Sequence, residues 1–565
     1  MAIKRYTANA DNTITNAFDA SLNGSFRATG SNTGESDILE VFSIYGQASG
    51  STGQSSELSR ILIKFPVDTI ITDRNADTIP ASGSVSFFLR MFNAKHAETL
   101  PRNYTLIVNA VSQSWEEGYG LDMVNYTDKT YDGFGSNWVM ASSGSKWNNV
   151  AGASGGSTRL PTGNVLGGVY HDSPEFKQTF DRGHEDLEID ITHLVEQWIE
   201  GENAGAGNEN TKKLNYGVGV AITSSQEAYT QETVANKSYQ NLTGGVRSYY
   251  TKRFFARNSE FFFKRPCIEA RWDSSRKDEA GKFNYWSPLA ENADNINTIY
   301  FYNYVNGQLK NIPSSYLTDN KILVSLYSGS HANTRPLGSR LKLKSSSYSA
   351  LGYTPIAATN DLNATGGLTT TTGIYSCSLA LTGADSGSLT NLFAVWHNKD
   401  GFVAGTDRFE FHTSSLAPSN RRTSNIFPPG NRYVTSMPSL RNSYHKDETA
   451  RFRIHTRQKN WNPNIYTKAS STPELSHIED VYFKISRIAD NMTVVDYGTG
   501  SATAPQDLGT AASCTRLSYD ISGSYFDLDM NLLEPGYAYG IKFVYYLNNS
   551  YMEQPEEFKF RVEDT

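Results

Sequence analysis

The sequence predicts an all-β chain built of several sandwiches, and three observations carry that expectation. Aromatic residues make up 12% of the 565 residues, with 33 Tyr and 28 Phe, and Ser, Thr, Asn and Gly fill the spaces between them. This is the mixture of pleated strands joined by polar turns. Apolar and polar residues alternate in short runs with the period of two that a half-buried strand requires. The length exceeds what one hydrophobic core serves, so roughly two to four domains are expected.

In the first segment, residues 1–275, the runs Ile61-Leu62-Ile63-Lys64-Phe65, Val85 to Arg90, Tyr104 to Val108 and Tyr216 to Ile222 have strand length, and Gly, Pro, Asn or Ser clusters separate them. One stretch breaks the rhythm. Ile191, Leu194, Val195, Trp198 and Ile199 fall at i, i+3, i+4, i+7 and i+8, which predicts one short amphipathic helix over 191–200. Asp190 or Thr192 is placed to cap it and Gly201 to stop it, closing one end of a sandwich. Two long insertions interrupt the strands, one at 115–185, rich in Gly, Ser, Tyr and Trp, and one at 224–262. Loops of that length are functional or packed against something.

The charged and polar stretch 276–295 reads as a linker. Strand-like runs resume at Thr298 to Tyr302 and Ile322 to Tyr327 and end near His412, which suits a β-sandwich of immunoglobulin size over 296–418. Pro418, Arg421-Arg422 and Phe427-Pro428-Pro429-Gly430 mark a second boundary. Beyond it, alternating runs from Ala450 to Val562 predict a further sandwich over 430–565. There the turn Leu533-Glu534-Pro535-Gly536 leading to Tyr539 resembles the tyrosine-bearing turn of fibronectin-like domains.

The net charge is −7, from 51 basic and 58 acidic side chains spread along the chain, which argues against nucleic acid as a partner. The cysteines, Cys267, Cys377 and Cys514, fall one to each expected domain, so a fold without disulfides is expected. Lys4 and Arg5 are not followed by an apolar run, so no secretory signal is expected and the product is read as made in the cytoplasm. No segment approaches the roughly 18 continuous apolar residues of a membrane span.

Taken in order, the landmarks of the first segment resemble the DNRLRE family of jelly-roll modules. They are Asp11-Asn12-Thr13-Ile14, Asn32-Thr33-Gly34, Ile38-Leu39-Glu40-Val41, Ser59 to Phe65, Ser114-Trp115-Glu116-Glu117-Gly118, Glu188 to Thr192 with Leu194, Val195 and Trp198, Asn215 to Val218, and Arg265-Pro266. The resemblance implies a jelly-roll β-sandwich for residues 1–275, related in shape to carbohydrate-binding modules; it does not extend to the two smaller immunoglobulin- or fibronectin-like sandwiches. Members lacking a secretory signal and carrying long aromatic insertions resemble virion structural proteins of tailed bacteriophages, particularly contractile-tailed phages of marine bacteria.

Catalytic and metal chemistry is thinly represented. His184 and His193, the closest histidine pair, have no zinc-type spacing. The carboxylates of Glu185, Asp186, Glu188 and Asp190, with Glu35 and Asp37, are the candidates for a structural calcium ion, against a plainer reading as a solvated edge and a helix cap. No other cofactor is expected. Glu116-Glu117 beside Trp115 is the one local pair that could serve glycoside cleavage, and the resemblance assigns it to a turn. No phosphate loop is present, and the chain is read as no enzyme.

Two surfaces stand out instead. The aromatic and basic residues of 247–265, namely Arg247, Tyr249, Tyr250, Lys252, Arg253, Phe254, Phe255 and Arg257 followed by Phe261, Phe262, Phe263, Lys264 and Arg265, suit a protein interface, where aromatics and arginine concentrate. The competing reading is strand core with a basic outer face. Trp115, Tyr119, Trp138 and Trp147, with Tyr126 and Tyr131, are candidate platforms for a sugar, against loop packing. The expectation is a non-enzymatic structural protein of a phage virion at the neck, tail or baseplate. It would dock on other virion proteins as a symmetric homo-oligomer; the alternative is a host-recognition adhesin that holds cell-surface glycan.

Overall fold

A computed structural model shows an all-β chain. It describes residues 2–17, 30–44, 57–96, 100–121, 134–147, 167–204, 211–228, 241, 243–287, 290, 293–317, 322–329, 338, 340–344, 351–352, 356–360, 372–381, 389, 391–398, 409–420, 432–459, 461, 465, 475–498 and 515–564. Tyr126, Tyr131 and Cys514 lie outside them; Cys267 and Cys377 are buried free thiols. The chain divides into two compact units. One is Ile3–Ala76 with Val85–Arg271, and the other is Trp272–Thr565 with the short pieces Met1–Ala2 and Asp77–Ser84.

The strands of the first unit are β1 (Ala2–Thr7), β2 (Ala10–Thr15), β3 (Ile38–Ile44), β4 (Glu57–Lys64), β5 (Ser86–Met91), β6 (Tyr104–Val111), β7 (Met140–Ser142), β8 (Ser145–Lys146), β9 (Tyr170–Phe180), β10 (Leu187–Asp190), β11 (Val218–Ile222), β12 (Tyr249–Phe255) and β13 (Cys267–Trp272). They form a four-stranded sheet in the order β1-β13-β5-β10 and a seven-stranded sheet in the order β12-β3-β4-β11-β6-β9, with β2 also pairing β4. Alternation sorts the side chains. Phe87 and Leu89 of β5 pair with Ala270 and Ile268 of β13, and Met91 pairs with Leu187 of β10; all three are fully buried. Val218, Val220 and Ile222 pair with Ile61, Ile63, Leu106 and Val108 on the other sheet, and burying these faces drives the two sheets together.

The alternate residues Leu58, Arg60 and Leu62 of β4 do not reach water either. Ile14, Leu62 and Val111 pack with Trp115, Trp138, Trp147 and Tyr170 in a second apolar cluster. The insertion after β6 is therefore a cover laid over the outer face of the seven-stranded sheet, which is why β4 reads as a continuous apolar run. An ion pair between Arg60 and Glu227 is sealed beneath it, both side chains almost wholly buried.

Two helices appear among the described residues where one was expected. The expected helix is α2, Thr192–Ala204; Asp190 Oδ1 accepts from the Thr192 main-chain N–H at 2.8 Å and from its hydroxyl at 2.6 Å. It runs through Gly201 rather than stopping there. A Cβ at Gly201 would lie 2.0 Å from the Lys213 carbonyl oxygen, so this glycine serves close packing and not termination. The unexpected helix, α1 (Val67–Asn75), has no side-chain cap and is rich in β-branched residues, which have low helix propensity. It packs on α2, where Arg74 grips Glu196 with two hydrogen bonds of 2.7 Å.

The second unit holds a six-stranded antiparallel sheet in the order Asn297–Tyr302, Ile374–Leu379, Ile356–Asn360, Ile322–Ser328, Leu392–His397, Glu410–Leu416. Two further sheets follow. One joins Tyr433–Ser436, Thr449–Gln458, Gly523–Asp529 and Ser518–Asp520, and the other joins Ser443–His445, Phe558–Glu563, Ala538–Leu547, Val481–Arg487 and Thr493–Val495. Phe483 and Phe526 stack at 4.0 Å in their common core, with Phe452 5.2 Å from Phe526. The Tyr539 hydroxyl donates to the Glu534 carbonyl at 2.8 Å, tying the expected Pro535-Gly536 turn to the strand it enters.

The expectation of a linker over 276–295 is corrected. Phe283 and Tyr285 belong to the core beside Leu326 and Trp396, and the main chain of Tyr519 accepts from the Asp278 N–H and donates to the Arg276 carbonyl. The surface charges of this stretch masked two core aromatics spaced for one face of a strand.

Candidate interaction surface

β12 forms one edge of the seven-stranded sheet, and its pleat divides the expected interface residues into two sets. Lys252 and Phe254 are fully buried and belong to no surface. Lys252 Nζ donates to Asn93 Oδ1 at 2.6 Å and to the carbonyls of Gly183 and Glu185 at 2.9 and 2.7 Å, and it lies about 5 Å from the rings of Phe180 and Phe254. Burial lowers its pKa to about 8 against the pull of the Asp186 and Glu185 carboxylates. The ammonium is a structural tie that satisfies buried carbonyls.

The other set faces outward but is partly occupied. Arg253 Nε and the Thr251 hydroxyl both donate to Glu40 Oε1, at 3.1 and 3.0 Å, and the Arg253 N–H meets His96 Nε2 at 3.2 Å. Burial, with Lys252 and Arg253 nearby, holds the His96 imidazole down at about 4, so it is neutral and accepts this bond. Arg257 is held through two hydrogen bonds to Glu117, at 3.1 and 2.8 Å. Arg247 is exposed, Tyr249 is 63% exposed, and Tyr249 stacks on Tyr250 at 4.9 Å.

The freest part lies just beyond β12. Phe261 and Phe262 are 42% and 58% exposed. Lys264 sits over the rings of Phe255 and Phe261 at 5.1 and 5.3 Å, and Arg265 over Phe262 at 5.2 Å. Arg265 also donates to the Ser259 carbonyl at 3.0 and 2.8 Å. Neither cation has a carboxylate within ion-pair distance among the described residues. The result is an aromatic ledge carrying two uncompensated positive charges.

The expected sugar platforms are largely removed. Trp138 is fully buried, and Trp147 and Trp115 are 5% and 9% exposed. Trp147 Nε1 donates to the Asn137 carbonyl and Trp115 Nε1 to the Tyr216 carbonyl, both at 2.8 Å. Large apolar faces in a long loop are worth more covering a sheet than facing water. Of the candidates among the described residues, Tyr119 alone is exposed, edge-on to Phe134 at 6.4 Å.

The expected calcium carboxylates are spread over other partners. Glu185 accepts from the Arg182 N–H, Asp186 from the Asn93 N–H, Glu188 from Arg271, and Asp190 caps α2. Among the described residues no three potential metal ligands converge. Glu117 holds Arg257 and the Asp11 N–H, and Glu116 accepts from the Ser143 N–H at 3.1 Å. Both carboxylates of the glycosidase-like pair are engaged in architecture.

Three of the sequence landmarks meet at one corner. Asp11 Oδ2 accepts from the Arg257 N–H at 2.6 Å, Asn12 Oδ1 from the Thr33 N–H at 3.0 Å, and Asn32 Oδ1 from the Gly120 N–H at 3.2 Å. Burial, with Glu117 close by, raises the Asp11 carboxyl to about 7. A Cβ on Gly34 would stand 2.2 Å from the Gly118 oxygen, and one on Gly118 would stand 1.9 Å from Asn32 Oδ1, so these glycines are required by close approach.

The outer face of the four-stranded sheet carries a charge network that the sequence reading missed. Glu269 is 1% exposed and takes hydrogen bonds from Arg5 at 2.8 Å and from Arg271 at 2.6 and 2.9 Å, with Arg90 at 3.4 Å. Arg271 also reaches Glu188 at 2.7 Å. Arg271 and Arg90 lie 4.3 and 4.9 Å from the rings of Phe88 and Phe92. Although burial opposes ionisation, the Arg90, Arg271 and Arg5 guanidiniums hold the Glu269 carboxyl far below the usual range. The alternation Cys267, Glu269, Arg271 on one face was the available signal.

No protein-family model matches the chain, and no curated protein matches it. Among solved structures, trypsin-activated alpha-2-macroglobulin from Escherichia coli is 9% identical, with 85% of this chain and 31% of that chain covered and a TM-score of 0.15. A DUF4785 family protein from Legionella pneumophila is 7% identical, with 94% and 91% covered and a TM-score of 0.12. The chain thus spans about 31% of the first of these. Likenesses at these scores carry no argument about fold or activity. No helix among the described residues is long and apolar enough to cross a membrane.

Proposed function

We propose that the chain is a non-enzymatic structural protein of a tailed-phage virion, docking on other virion proteins in symmetric copies at the neck, tail or baseplate. The observation that supports this reading is the ledge after β12. Exposed Phe261 and Phe262 carry Lys264 and Arg265 on their faces, and desolvating such pairs against an acidic partner strengthens both the apolar and the charged contact. The motif resemblance supplies the virion context. The test is composition: purified particles should contain the chain at stoichiometric copy number, and Arg265→Glu with Phe262→Ala should remove it from particles without changing its melting temperature. A chain abundant in infected cells and absent from particles would sink the proposal.

A further inference from the structure

We infer that a groove on the outer face of the seven-stranded sheet is a binding site for a compact, neutral, hydroxyl-rich ligand of the sugar class. The groove opens where the tryptophan cover ends, has a volume of about 260 Å³, and is lined by β6, β9, β11 and the turn that follows β11. This lies below the roughly 300–1,000 Å³ of sites for drug-sized ligands, so the fit is to one or two rings. It shares Tyr170 with the cluster of buried tryptophans, includes none of the residues of the ledge, and does not rest on the virion reading.

The floor is made by register. Gly219 pairs with Asn109 and Ala221 with Ile107 across β11 and β6, while Ile107 pairs with Lys177 across β6 and β9. Two successive small residues on one face of a central strand leave a trough in an otherwise side-chain-covered sheet. Tyr170 forms the wall: its ring lies so close to Gly219 that an added Cβ would stand 2.0 Å from it, and its hydroxyl is committed to the Gly167 carbonyl at 2.9 Å. The ring is therefore a fixed apolar surface and not a mobile lid.

The rim decides the ligand class. Asn109 donates through Nδ2 to the His171 carbonyl at 3.3 Å, leaving its Oδ1 as an acceptor, and the hydroxyls of Ser224 and Ser225 make no hydrogen bond among the described residues. Lys177, the one cation, is 2.6 Å from Glu175 Oε1, so the rim offers no net charge to hold an anion. An apolar ligand would strip water from the serines and the amide without replacing it. A pyranose presents hydroxyls that both donate and accept around a ring with an apolar C–H face, and matches the aliphatic floor and neutral rim together.

The experiment is saturation-transfer difference NMR on the full chain with the methyl glycosides of glucose, galactose, mannose and N-acetylglucosamine, each at about 10 mM, the range that detects millimolar affinity. At least one should give transfer that falls at least tenfold in Ala221→Phe, whose ring fills the trough. Asn109→Ala should weaken it severalfold, and Tyr119→Ala should leave it unchanged. Melting curves show that each variant is folded, and if Ala221→Phe is not, Asn109→Ala together with Ser225→Ala carries the test. No transfer from any of the four sugars overturns the inference, as does transfer that survives filling the trough or appears only with an added glucuronide.

Discussion

Replacing Glu269 by alanine isolates the energetics of the charged outer face of the four-stranded sheet. The carboxylate lies between Arg5, Arg90 and Arg271. Its removal leaves three guanidiniums facing one another with Glu188 as the remaining anion of the network. Breaking a buried ion pair from one side costs about 3–5 kcal/mol, because the partner charges stay desolvated. For a unit of this size each kcal/mol moves the melting point by roughly 2–4 °C. The first unit of Glu269→Ala should therefore melt roughly 6–20 °C lower by calorimetry, with the second unit serving as the internal reference. The pH dependence fixes the sign. The folded-state pKa of Glu269 is depressed, so its contribution is fully present above the unfolded value of about 4.3 and is lost as pH falls toward the folded value. The wild-type acid limb should steepen below about pH 5, and Glu269→Gln should flatten it. A loss under about 1 kcal/mol at neutral pH, the range of exposed pairs, would refute the buried network.

Trp138→Ala should destabilise the first unit by about 3–5 kcal/mol, as for other buried aromatics, and should not selectively abolish sugar binding; a surface platform would show the reverse in calorimetry and NMR. Asp278 is buried beside Asp520 and Glu279, and burial raises its carboxyl to about 7. The unfolded state releases its proton first, so folding is penalised progressively between about pH 4 and pH 7. Asp278→Asn, still able to cap the turn at Ala280, should stabilise the second unit at pH 8 by up to about 4 kcal/mol, and denaturant midpoints that do not move between pH 5 and pH 8 would contradict this. Lys252→Met should cost about 2–4 kcal/mol by leaving the carbonyls of Gly183 and Glu185 without a donor, measurable by urea unfolding, whereas a surface lysine would cost almost nothing.

The fold class was legible because period-two alternation and polar turns are local properties, and α2 was legible because its apolar stripe has helical spacing. α1 was not: Val67, Thr69, Ile70, Ile71 and Thr72 have strand-like propensity, and the helix is fixed by burying Val67 and Ile70 and by the grip of Arg74 on Glu196. The candidate surface was half legible. Clustering of aromatics and cations over 247–265 is a compositional signal, but which members face water depends on the pleat of β12 and on what Glu40, Glu117 and the Gly183 carbonyl claim first.

The sequence by itself determined that the chain is β-rich and divided, since both follow from length, residue types and short spacings. Tertiary structure decided which aromatics are core and which are surface. Trp115, Trp138 and Trp147 look like Phe261 and Phe262 in composition, yet the first three cover the outer face of the seven-stranded sheet and the last two project from its edge. The difference is set by contacts between residues far apart in the chain, such as Trp115 with Tyr216. Burial is a property of the partner as much as of the residue.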